Sequence, residues 1–194
     1  MRYFKVLCAV LALMTALWAL PVQAGPAPVV VIETSMGKVI LMLDERNAPE
    51  TVKNFLRYVD EGFYDGTIFH RVIDSADMAI VQGGGFAYPM KRKRTYMPIK
   101  NEAMNTQSND AGTVAMARSS DPDSATCQFF FNVQDNPVFN YQGPSNPGYA
   151  VFGKVIRGMN VVKEIVKVKT GRKGLFDDVP REPVFIKKAY RMHG

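Results

Sequence analysis

Histidine and cysteine, which most often carry nucleophilic, acid–base and metal chemistry, are nearly missing from this chain: two of each in 194 residues. His193 stands next to the last residue, so His70 is the only imidazole well inside the sequence. HExxH, CxxC and paired histidines at ligand spacing are all absent, which removes the usual catalytic zinc site. GxSxG is absent too, and with it the nucleophile elbow of the serine hydrolases. Gln82-Gly83-Gly84-Gly85 is glycine-rich, yet it lacks the lysine and the strand-loop-helix setting of a phosphate cradle. What is left is an arginine among apolar residues, a glutamine before three glycines, and an aromatic triplet. Such an inventory has no nucleophile, no metal and no organic cofactor, and suits a reaction that needs only binding and electrostatics.

A long apolar run occurs once. It covers residues 6–20, follows the cations Arg2 and Lys5, and leads to Val22-Gln23-Ala24. That three-part layout predicts a cleavable secretory signal over residues 1–24. The run falls short of the ~20 residues a membrane span needs, so no membrane association is expected after cleavage. Cys8 lacks a preceding small-residue stretch, which speaks against a lipid anchor. Its loss with the signal leaves Cys127 as the only thiol, read as a small buried apolar residue; the domain must be held by its core rather than by a disulfide. Removing 24 residues leaves 170, enough for one domain at 29–194 behind a short extended leader at 25–28. The net charge of +6 drops to +4 without Arg2 and Lys5. Lys91-Arg92-Lys93-Arg94 is the one concentrated cluster, read as a solvated loop, and no nucleic-acid partner is expected.

Residues 29–34 (VVVIET) and 38–43 (KVILML) are β-rich and predict a tight hairpin around Ser35-Met36-Gly37. Asn47 reads as a helix cap, with Pro49 in the first turn and Glu50 three residues on. Val52, Phe55, Leu56 and Val59 recur at helical spacing, and Gly62 stops the helix. Short β-prone pieces follow at 68–73, 80–82, 99, 113–117, 128–133 and 149–155. A second helix fits 159–167, a last strand fits 184–190, and 143–148 and 170–183 read as loops. Many short strands with only two helices predict a closed antiparallel barrel rather than an alternating α/β layout. Within Phe129-Phe130-Phe131, strand alternation sends Phe130 to the face opposite its neighbours.

Five blocks in order make a specific resemblance. They are Phe69-His70-Arg71-Val72-Ile73, Val81-Gln82-Gly83-Gly84-Gly85-Phe86, Gly112-Thr113-Val114-Ala115-Met116-Ala117-Arg118, Ser124-Ala125-Thr126-Cys127-Gln128-Phe129-Phe130-Phe131-Asn132 and Tyr149-Ala150-Val151-Phe152-Gly153. The chain resembles the cyclophilin-type peptidyl-prolyl cis-trans isomerases, most of all the periplasmic ones of Gram-negative bacteria. The likeness runs from about Val29 to Tyr190. It implies a mainly β fold, a closed eight-stranded antiparallel β-barrel capped by two α-helices, with the active groove on its outer face. It also implies Arg71 as the catalytic donor, Gln82 on the substrate backbone, and Phe130 and Phe139 in the proline pocket. Ala117 and Arg118 fall on the strand that pairs with substrate; His70 at the groove edge, Ile80 at a pocket-wall position and Tyr149 are implied as further substrate-binding residues.

One block departs from the family pattern. Between Ile73 and Gln82 the chain is three residues longer, and Ala79 and Ile80 stand where an aromatic and a methionine wall the pocket; Met78 compensates if the insertion bulges outward. Val138 replaces the tryptophan of cyclosporin-sensitive members and Tyr149 a histidine, so weak cyclosporin binding is expected. The implied function is rotation of X–Pro bonds in exported, folding proteins, by a periplasmic monomer with no cofactor and no metal. The alternative is a proline-segment binding module without useful turnover, and a weaker third reading is a surface adhesin docked through residues 91–94.

Overall fold

The computed structural model describes residues 27–192; the signal read in residues 1–24, and His193, lie outside them. Eleven strands, two helices and two single 3₁₀ turns are found among the described residues. β1 (Val29–Thr34) and β2 (Gly37–Leu43) form the expected hairpin. The Thr34 hydroxyl donates to the Gly37 carbonyl at 2.7 Å and accepts from the Met36 amide, so the turn is tied internally. Gly37, at φ +138°, also lies too close to Val161 for a Cβ to fit.

Helix α1 (Pro49–Asp60) carries the anticipated apolar stripe, and Val52, Phe55, Leu56 and Val59 are buried. Its start differs from expectation. Asn47 does not cap it: Ala48 occupies the N-cap position, and the Asn47 side-chain NH2 donates to the Asp44 carboxylate at 2.7 Å. Glu102, remote in sequence, accepts from the backbone amides of Glu50 (3.1 Å) and Thr51 (2.8 Å) and from the Thr51 hydroxyl (2.6 Å). A carboxylate at a helix N-terminus both satisfies unpaired amides and opposes the helix dipole.

The remaining strands are β3 (Thr67–Asp74), β4 (Ala79–Ala87), β5 (Lys91–Arg92), β6 (Thr113–Met116), β7 (Phe129–Asn132), β8 (Val151–Arg157), β9 (Thr170–Lys173), β10 (Phe176–Pro180) and β11 (Val184–Arg191). Helix α2 (Met159–Val166) follows β8. The sheet runs β3-β11-β1-β2-β8-β6-β7-β4, and β3 pairs with β4 to close an eight-stranded antiparallel barrel. Phe55, Tyr64, Phe129, Phe131 and Phe152 fill its interior with the apolar stripes of both helices. Phe55 meets Phe129 nearly edge-on at 5.5 Å and Phe152 at 4.9 Å; such aromatic pairs add about 0.5–1.5 kcal/mol beyond simple area burial.

Two segments differ from the sequence reading. Residues 91–94 are not simply a loop: Lys91 and Arg92 form an edge strand on β4, and Lys93 donates to the Phe63 carbonyl with its ammonium over the Phe63 ring. Residues 170–183, read as a loop, contain a separate two-stranded ribbon, β9–β10, turned at Gly174. Its side chains are mostly exposed and polar, so nothing periodic marked it. Docking made it regular: Phe176 packs on Phe86 at 5.3 Å, and Val179 and Pro180 are buried.

Candidate active site

One line of cross-strand neighbours crosses the outer barrel wall. Arg71 on β3 pairs with Gln82 on β4, Gln82 with Phe130 on β7, Phe130 with Ala115 on β6, and Ala115 with Val151 on β8. Because side chains alternate along a strand, Phe129 and Phe131 enter the core while Phe130 faces outward. There it joins Ile80, Ala115 and Val151, with Met78, Ala117, Phe139 and Tyr149 packed around them. These residues, with Arg71, Gln82 and Arg118, enclose a pocket of about 270 Å³. Phe130, Phe139 and Tyr149 wall it with three mutually steep rings, 5.0–5.6 Å apart.

Arg71 is placed by an irregularity. Phe69 pairs with Gly83 and Arg71 with Gln82, so β3 spends two residues where β4 spends one. That bulge turns both His70 and Arg71 away from the core while Phe69 and Val72 remain in it. The Arg71 side chain is about half-exposed at the pocket mouth, and its Nε lies 3.8 Å from an Asp178 carboxylate oxygen on β10. Gln82 donates its amide to Gln128 at 3.0 Å, leaving its own carbonyl oxygen without a protein partner among the described residues. Gly85 makes this pair possible, since a Cβ there would lie 2.6–2.8 Å from the Gln128 side chain.

The segment after Ile73 closes as a hairpin between β3 and β4. Asp74 pairs with Ala79, and Ser75 closes the loop through its amide and hydroxyl to the Met78 carbonyl at 3.0 and 2.9 Å. Ala79 faces the core, whereas Met78 and Ile80 line the pocket. Ala117 gives its amide to Gln128 at 2.9 Å. Arg118 donates from Nε to the Gly148 carbonyl at 2.8 Å and lies over Tyr149, while its own backbone has no hydrogen-bond partner among the described residues. An unpaired backbone edge beside an apolar pocket is where an extended peptide pairs.

Polar residues that the sequence did not single out hold the walls. Asn109 donates to the carbonyls of Phe139 and Tyr149 at 3.1 and 3.2 Å. Asn132, at the end of β7, donates to Asn109 and Thr113, and Asn136 donates to Asn132 at 2.8 Å. Being buried and mutually satisfied, this chain fixes where the two rings stand.

His70 lies to one side of the pocket, 5% exposed, with its ring 4.6 Å from Phe86. Its Nδ1 has no hydrogen-bond partner among the described residues. Burial above all, and then the charge of Arg71, pushes its pKa down to about 4, so it is neutral near pH 7. Burial likewise pushes the Cys127 thiol up to about 11, a sulfur that packs and does not react. Among the described residues no three His, Cys, Asp or Glu side chains stand where they could share a metal ion.

A guanidinium projecting over an apolar, aromatic-walled pocket beside free backbone groups is equipped to bind a peptide and bias its amide electronically. Residues 29–191 match the model of the family described as cyclophilin type peptidyl-prolyl cis-trans isomerase/CLD. The chain is 52% identical over 160 residues to peptidyl-prolyl cis-trans isomerase cyp18 of Streptomyces antibioticus, covering 81% of this chain and 95% of that one. It is 52% identical over 159 residues to peptidyl-prolyl cis-trans isomerase B of Escherichia coli K12, again covering 81% and 95%. A crystal structure of a Cryptosporidium parvum cyclophilin type isomerase, determined in the presence of the dipeptide Ala-Pro, superimposes with a TM-score of 0.68 at 25% identity, covering 86% of this chain and 99% of that one. Barrel, groove and relatives agree: the chain belongs to the cyclophilin-type peptidyl-prolyl cis-trans isomerases.

Proposed function

We propose that the protein accelerates rotation about X–Pro bonds in exported proteins as they fold, with the proline ring held in the pocket of Phe130, Phe139, Tyr149, Ile80 and Met78. The observation that carries this is the single register line that sets a permanent cation, an amide and an aromatic floor side by side. Rotation breaks the conjugation of the amide, with a barrier of ~18–20 kcal/mol for peptides in general. In the twisted state the prolyl nitrogen recovers its lone pair and becomes an acceptor. Arg71 donates to it, and because neither planar isomer offers that acceptor, the contact favours the transition state over both ground states. No proton is transferred, so neutral, buried His70 is not needed as a base.

Gln82 and the open backbone of Arg118 hold the peptide in line while Asp178 engages the Nε edge of Arg71, leaving its terminal nitrogens for substrate. Residues 1–24, read as a signal, support a periplasmic location and exported clients. Val138, 60% exposed, supplies no aromatic wall for a cyclic undecapeptide, which supports weak cyclosporin binding. The free protein acts as a monomer.

Isomerisation of a proline tetrapeptide by the purified protein and by Arg71→Ala tests the reading. Removing one donor of this kind lowers turnover by about 10²–10³-fold. A wild type no faster than Arg71→Ala would leave only a proline-binding module.

A further inference from the structure

A second cleft, about 580 Å³, opens on the far side of Arg71 and Gln82 from the proline pocket and shares both residues with it. Its floor is the Gln82–Gln128 amide pair. One wall is a stack of rings, His70 against Phe86 at 4.6 Å and Phe86 against Phe176 at 5.3 Å. With His70 neutral, that stack carries no charge near pH 7. Beyond Phe176, at the tip of the β9–β10 ribbon, Leu175 is 91% exposed, and Phe176 itself is 38% exposed. Two large apolar side chains standing in water at a cleft mouth, next to half-buried Met90, form a concentrated patch rather than scattered surface leucines.

Resting on the isomerase reading, we infer that this cleft is a second subsite of the same substrate segment, accepting a large aliphatic or aromatic side chain that flanks the isomerised proline. The occupant follows from continuity: a peptide with its proline in one pocket and its backbone at Gln82 must leave past Arg71, and the cleft begins there. Chemistry narrows the side chain. Phe86, Phe176, Leu175 and Met90 offer an apolar surface, and both signs of charge at the rim, Arg71 and Arg92 against Asp177 and Asp178, cancel any general preference for an ionic residue. The ribbon is a separate sheet docked on the barrel through Phe176–Phe86 and Asp178–Arg71, so the subsite and the catalytic arginine share a support.

The test uses Ala-Pro peptides in which leucine is scanned through three positions on each side, against an all-alanine reference. For the wild type, kcat/KM rises at one flanking position. In Leu175→Ser, and more so in Leu175→Ser/Phe176→Ala, the ratio of kcat/KM for that leucine peptide to the all-alanine peptide falls about three- to tenfold, as expected for a partly buried leucine. No leucine preference at any position, or an equal loss on both peptides, would overturn the inference. Binding of the leucine peptide to Arg71→Ala, with and without Leu175→Ser, separates it from the isomerase reading. Weaker binding after Leu175→Ser upholds the subsite even if turnover is absent throughout, and unchanged binding rejects it.

Discussion

The inside of the barrel and the groove on its outer wall use the same strand and the same side chain for opposite purposes. Phe129 and Phe131 disappear among Phe55, Phe69 and Tyr64, where every surface is covered by other side chains. Phe130, only 2% exposed, is covered by Phe139 and Tyr149, whose rings also border an open pocket. The interior closes on itself; the groove stops one ring short. Burial alone therefore does not distinguish core from site. What distinguishes them is the last neighbour, protein on one face and an open pocket on the other.

Paired truncations break or sharpen that comparison. Phe131→Ala opens a void that the packed core cannot collapse, and about 3–5 kcal/mol of stability is expected to go, read by urea unfolding, with the KM of the folded fraction unchanged. Phe130→Ala opens onto the pocket, where water enters, so the expected loss is smaller, about 2–3 kcal/mol, and KM rises about tenfold. If both changed KM alike, the two faces would not be functionally distinct.

His70 tests the boundary between the regions by pH. Its folded pKa, about 4, lies below the unfolded value of 6.5, so between these values the unfolded chain binds the extra proton. Its contribution to stability is complete above pH 6.5 and is lost as pH falls toward 4, up to about 3 kcal/mol. Unfolding curves at pH 7.5 and 4.5, compared with those of His70→Gln, measure the slope, which the variant should lose. Turnover should stay flat from pH 6 to 8; an inflection near 6.5 removed by His70→Gln would make the imidazole a participant. A smaller effect belongs to Glu102→Gln, which weakens the remote cap of α1 by about 1 kcal/mol and leaves peptide turnover unchanged.

Periodicity made part of this legible. Strand alternation identified Phe130 as the outward member of its triplet, and helical spacing identified the stripe Val52, Phe55, Leu56 and Val59. Features that depend on pairing between distant segments were not readable. Glu102 caps a helix 52 residues away from Glu50, so the nearer Asn47 drew the assignment. The β9–β10 ribbon is Thr170-Gly171-Arg172-Lys173 facing a run with Asp177 and Asp178, a polar pattern that becomes strand only when Phe176 finds Phe86. Gln128 and Asn132 stand inside a block that carries the resemblance, yet nothing in the block assigned them a role, and Asn109 and Asn136 lie outside all five blocks; what these amides do follows from register and from mutual satisfaction. Met78 was legible only conditionally, since the outward extension of the β3–β4 hairpin decides which side of the strand meets the pocket.

The central claim, that Arg71 acts on the twisted amide and not on the resting peptide, is tested most directly by NMR exchange on a saturated proline peptide. Cis–trans exchange catalysed by Arg71→Ala should fall by about 10²–10³-fold while its Kd for the peptide stays within about threefold of wild type. Exchange and affinity falling by the same factor would make Arg71 a mere grip on substrate, and undiminished exchange would remove it from the reaction.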